Sequence, residues 1–119
     1  MPVTGPDFIS LQVRDIERSA RFYEQHLGLE RTGESFVLPA APRGPVALAF
    51  FSHDDPYFPP EQPVMIDLRV DDLDGLLDAL EAASVAVDPR RDASEFGRFG
   101  WFTDPEGNRV ELWQEPEPS

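Results

Sequence analysis

Residues 8–30 read FISLQVRDIERSARFYEQHLGLE, and residues 64–80 read VMIDLRVDDLDGLLDAL. Each opens with period-2 alternation, the mark of a half-buried strand, and passes after an Asp into an amphipathic helical pattern. At a constant offset of 57, Ile66 answers Ile9, Leu68 answers Leu11, Val70 answers Val13, Asp72 answers Asp15 and Leu73 answers Ile16. The register includes the Asp expected to cap each helix, whose side chain would accept from amides of the first turn. The spacing predicts an internal repeat, two copies of one strand–helix module.

Working outward, strand-like apolar runs stand in ESFVLP (34–39) and VALAFF (46–51). HDDPYFPPEQP (53–63), with four prolines and three acids, reads as an exposed connector. In the second copy Leu73, Leu76, Leu77 and Leu80 share one helical stripe, and SEFGRFGWFTDPEGNRVELWQ (94–114) reads as two strands around a turn. The boundaries predicted are module one at about 7–52, connector 53–63, module two at about 64–114 and a polar tail at 115–119, all within one domain spanning 1–119. The fold class is α+β.

Alternation assigns faces. Ile9, Leu11 and Val13, like Ile66, Leu68 and Val70, make the side a helix can cover. The other side carries Phe8, Ser10 and Gln12 in one copy and Met65, Asp67 and Arg69 in the other. The last strand adds Arg109, Glu111 and Trp113 opposite Val110 and Leu112. Polar groups inside a good sheet suggest a strand-lined cleft, and a simply solvated face is the alternative.

Composition narrows the chemistry. Of 119 residues, 23 are acidic and 10 basic, a formal charge of -13, so nucleic-acid backbones and anionic membranes would be repelled. Every basic residue is Arg, which excludes lysine Schiff-base chemistry, and zero Cys excludes thiolate nucleophiles and Cys-based zinc sites. The opening MPVTGPDF has neither a basic nor an apolar signal region, and no apolar run approaches the roughly 18 residues of a membrane span. These point to a cytoplasmic protein.

FISLQVRDIERSARFYEQHLGLE, VMIDLRVDDLDGLLDAL and FGRFGWFTDPEGNRVELW (96–113), in this order and at these separations, resemble the vicinal oxygen chelate superfamily, which includes glyoxalase I, extradiol dioxygenases and bleomycin-resistance proteins. The resemblance covers about Asp7 to Gln114. It implies two βαβββ modules in tandem, half-open sheets forming a cleft, and a homodimer. Parts of the motif have plain structural readings. Phe22 faces the sheet, Gly28 ends the helix in a left-handed cap, His26 sits at the favourable end of the helix dipole, and DPEGN is a turn.

Metal-dependent members of that superfamily draw one ligand from each of four strands. The equivalent positions here are Phe8, Ala49, Met65 and Glu111, and only the last is a ligand for a hard or borderline cation. A relocated metal site from His53, Asp67 and Glu111 is the alternative. The expectation is therefore no cofactor and a cleft lined by Phe8, Phe51, Met65, Asp67, Arg69, Glu111 and Trp113. Such a mixture suits a planar, cationic organic compound held by stacking and carboxylate pairing, in the manner of bleomycin-resistance proteins. The alternative is an enzyme, a lyase, isomerase or dioxygenase, with a relocated metal or with acid–base work by Glu111 and Asp67. Their proximity would raise one carboxyl pKa.

Overall fold

The computed structural model describes residues 13–32, 35–37 and 50–117, with backbone alone at 32 and 35–37. The chain divides into two compact units, Met1–Asp55 and Pro56–Ser119, and the division falls inside the expected connector. Phe8, Ala49 and most of the two runs expected as strands at 8–13 and 46–51 lie outside the described residues.

In the first unit, helix α1 spans Ile16–Leu27. Asp15 caps it as its spacing predicts, Oδ1 accepting from the Arg18 amide at 3.0 Å. Gly28 ends it at φ 68°, in the left-handed region, and donates its N–H to the Tyr23 carbonyl. Ser19, Ala20 and Phe22 are its buried residues, and the His26 ring stands 5.0 Å from that of Phe22. Strands β1 (Glu30–Thr32) and β2 (Ser35–Val37) pair antiparallel. The Arg31 guanidinium reaches back from β1 to grip Glu17 of α1 through two hydrogen bonds of 3.1 and 2.7 Å. β1 escaped the sequence reading because three polar residues carry no alternation signal.

The second unit is a complete βαβββ module. β3 (Asp67–Arg69) leads into α2 (Leu73–Ala82), then β4 (Ala86–Val87), β5 (Asp92–Ser94), β6 (Gly97–Thr103) and β7 (Arg109–Gln114). The sheet is open, in the order β3-β7-β6-β4 with β5 also on β6, and only the β3–β7 pair is parallel. β4 and β5 are one strand's course interrupted around Pro89, which has no N–H to give a ladder. Asp72 caps α2 as Asp15 caps α1, accepting from the Gly75 amide at 3.1 Å. Each such cap contributes about 1 kcal/mol.

The core of this unit lies between α2 and one sheet face. Leu73, Leu77 and Leu80 are fully buried with Phe102, Val110 and Leu112. Leu76, expected on the same stripe, is half-buried at its margin. Gly100 lets the helix approach, since a Cβ there would come within 2.5 Å of Leu77 Cδ1. Burying each of these leucines stabilises the fold by about 1.5–3 kcal/mol. The DPEGN turn is held by the side chain of Asp104, 4% exposed, whose carboxylate accepts from the amides of Glu106 and Asn108 at 2.9 Å and from Asn108 Nδ2 at 3.2 Å.

Candidate functional site

With Val110 and Leu112 turned to the helix, alternation turns Arg109, Glu111 and Trp113 to the open face of the second unit. The parallel ladder sets Asp67 opposite Glu111, Leu68 opposite Leu112 and Arg69 opposite Trp113. Four of the expected site residues, Asp67, Arg69, Glu111 and Trp113, therefore share one face in two adjacent rows. β6 extends these rows, with Trp101 opposite Glu111 and Phe99 opposite Trp113.

The first row is a chain of hydrogen bonds. Trp101 Nε1, a donor only, gives its hydrogen to Tyr57 Oη at 2.9 Å. Tyr57 Oη then donates to Glu111 Oε1 in a short contact. Asp67 faces Glu111 from the neighbouring strand as its register partner. Loss of water around the carboxyl, with the hydrogen bond and charge of Glu111, pushes Asp67 up to about 8, and the Arg69 charge pulls the other way. Asp67 taken as a whole residue is exposed, so water tempers both the burial and the effect of the neighbouring charge. Burial, then the bond to Glu111, raises the Tyr57 hydroxyl above the usual phenol range. The row thus runs from the indole N–H through the phenol O–H to Glu111, with Asp67, its carboxyl pushed up, beside it.

The second row is a platform. Trp113 Nε1 donates to the Phe96 carbonyl at 2.8 Å, fixing the indole against the β5–β6 turn. Arg69 lies over that indole, its Cζ 5.8 Å from the ring centroid, rather than projecting freely. Trp101 is closed by comparison: it is 5% exposed, with the guanidinia of Arg109 and Arg90 at 5.3 and 5.6 Å from its ring. Arg109 is held in turn by Asp88 Oδ2 at 2.9 Å.

The connector reading needs correction at its C-terminal part. Tyr57 reaches Glu111 and Trp101, and Gln62 clips the start of β7, accepting from the Arg109 amide at 2.7 Å and donating to the Arg109 carbonyl at 2.8 Å. Proline and acid content mark a segment as irregular, and say nothing of an aromatic or amide side chain within it that docks on the sheet. Tyr57 and Trp101 are thus the residues the sequence reading missed. Of the other expected residues, Met65 is half-buried just before β3, while Phe51, 52% exposed, and His53, in an exposed turn, belong to the first unit.

The residues present do not fit a catalytic divalent ion. Of the four positions the resemblance assigns, Met65 offers a thioether and Glu111 a carboxyl that accepts from Tyr57, while Phe8 and Ala49 have no donor atom in their side chains. Among the described residues no group of three or more His, Cys, Asp or Glu could hold a metal ion.

An α+β module with an open mixed sheet, its helix on one face and an acid–aromatic row on the other, defines the class, that of paired βαβββ folds. The chain belongs to the Glyoxalase/Bleomycin resistance protein/Dioxygenase superfamily, whose family model matches residues 5–112. Similar solved structures include TnmS3, an antibiotic binding protein from Streptomyces sp. CB03234, at 28% identity and TM-score 0.61 over 98% of this chain and 99% of that one. A glyoxylase/bleomycin resistance protein/dioxygenase domain from Frankia sp. EAN1pec superposes with TM-score 0.67 at 23% identity, covering 99% and 96%. A lactoylglutathione lyase from Agrobacterium tumefaciens does so at 0.59 and 16%, covering 96% of each. No curated protein sequence matches the chain. No helix among the described residues is long and apolar enough to cross a membrane.

Proposed function

We propose that this protein binds an organic small molecule without a metal, sequestering it in the manner of bleomycin-resistance proteins, and that its ligand combines a planar part with a positive charge. The observation that carries this is the Asp67–Glu111 pair beside the Trp113 platform on one open face. A carboxylate held by Tyr57 attracts a cation, and an indole fixed by the Phe96 carbonyl offers a stacking surface at little ordering cost. Kinship at 28% identity with TnmS3, an antibiotic binding protein, supports the reading. In this proposal the protein works as a cytoplasmic homodimer.

A second reading has its own observation. Asp67, its carboxyl raised to about 8, stands beside a second carboxyl, Glu111, an arrangement suited to a general acid and its partner base. A metal-free enzyme acting on the same ligand would use that pair.

The test is a thermal-shift screen of planar cations, neutral isosteres and anions, followed by mass analysis of each stabilising compound after prolonged incubation. A ligand at about 100 times its dissociation constant adds roughly 2.7 kcal/mol. Cations that stabilise and are recovered intact support sequestration. Cations that are converted, with conversion lost in Asp67→Asn, support the enzyme, and stabilisation by anions alone contradicts both.

A further inference from the structure

Trp113 and Trp101 sit on the same face of neighbouring strands, yet they are prepared differently. Trp101 is buried beneath Tyr57, Arg90 and Arg109. Trp113 is only partly covered, and its ring is set in place from one edge. Its Nε1 is bound to the Phe96 carbonyl, and residue 97 is a glycine at φ 118° where a Cβ would lie 2.6 Å from Nε1. Only glycine tolerates both that backbone and that approach. The indole is therefore held along one edge before any ligand arrives.

What lies over it is Arg69, an exposed side chain on β3, the end strand of this sheet. Its guanidinium is planar, delocalised and permanently charged. It stands two residues from Asp67 on the same face, close enough for its charge to act on that carboxyl. A planar cation over an indole, beside a carboxylate pair, is the arrangement proposed above for the ligand. Here the chain supplies it.

We infer that Arg69 is an internal stand-in for the ligand: its guanidinium occupies the Trp113 platform in the free protein and swings off the end strand when a planar organic cation, an aromatic amidinium or guanidinium, takes its place. This rests on the binding reading above and adds to it a competing element that sets affinity and selectivity. Because only a flat, delocalised cation reproduces what Arg69 does on the ring, the site prefers amidinium-like groups over tetrahedral ammonium ions.

The experiment titrates benzamidine, its neutral isostere benzamide and its anionic isostere benzoate into the wild-type chain, Arg69→Ala and Arg69→Gln. The indole N–H resonances are followed, with Trp113 assigned by Trp113→Phe. Arg69 is exposed, and the Gln variant keeps its length without its charge, so neither change is expected to disturb the fold. Benzamidine is expected to shift the Trp113 resonance in all three proteins. Its affinity should be about two- to fivefold tighter in both variants, the worth of an exposed cation–π contact expressed as a ratio. Benzamide should gain less, and benzoate should bind none of them. Equal or weaker benzamidine affinity in the variants overturns the stand-in while leaving the binding reading intact. Benzoate binding to the wild type that disappears in Arg69→Ala makes Arg69 an anion recruiter and overturns it too. No Trp113 shift by benzamidine in any protein overturns both the inference and the reading beneath it.

Discussion

Asp67 and Glu111 stand opposite one another on the parallel strands β3 and β7, and loss of water together with the nearness of Glu111 pushes the Asp67 carboxyl up. Two ionised acids on register partners would repel. Tyr57 donates to Glu111, the other member of the pair.

The pair makes stability depend on pH in a definite direction. The Asp67 carboxyl lies at about 8 in the folded chain against an ordinary 3.8, so the folded state holds the extra proton between those values. Its contribution is complete below about 4 and is lost as pH rises through about 8. Asp67→Asn keeps a donor toward Glu111 and carries no charge. It should become more stable than wild type as pH rises from 5 to 9, by on the order of 1 kcal/mol at the upper end once screening at an exposed residue is allowed for. Urea midpoints at several pH values check this, and a difference that does not vary with pH contradicts it.

Tyr57→Phe removes the acceptor of a buried indole N–H and the donor to Glu111 together. The expected cost is about 1–3 kcal/mol, from leaving the Trp101 donor unsatisfied. Equilibrium unfolding measures it. A loss below a few tenths of a kcal/mol would mean that the Pro-rich segment is the loose connector its composition suggests.

Asp104→Ala should separate structure from binding. The carboxylate is buried and accepts three hydrogen bonds within its own turn, so its loss should destabilise by about 2 kcal/mol or more while leaving cation affinity unchanged. A change in affinity comparable to that of a Glu111 variant would make the turn part of the site.

β3 closes one end of the sheet with β7 as its one neighbour among the described residues of its unit, and a bare edge invites pairing. The protein is expected to be a homodimer. Light scattering at micromolar concentration should give twice 13.4 kDa, and a stable 13.4 kDa species contradicts it.

Which parts were legible follows from where the information sits. Alternation is local, so Val110 and Leu112 inward with Glu111 and Trp113 outward could be read directly, as could the caps Asp15 and Asp72 from the offset of 57. Alternation put Asp67 and Glu111 on one face, but setting them directly opposite one another needed the strand register, which only the structure supplies. Tyr57 was hidden because its partner is 54 residues away and nothing periodic surrounds it. Trp101 was read as part of a hairpin, and its burial on the open face comes from side chains in three separate segments. β4 and β5 are two and three residues long, too short for a pattern to declare itself.

The most direct test of the central claim is calorimetric titration of proflavine, a planar aromatic cation, into wild type and Glu111→Gln, each with and without EDTA. The account predicts one binding event per chain that chelator does not alter, weakened by about 1–3 kcal/mol when the Glu111 charge is removed. Binding that vanishes in EDTA, or that is indifferent to Glu111, would contradict a metal-free site in which the carboxylate pair meets the cation.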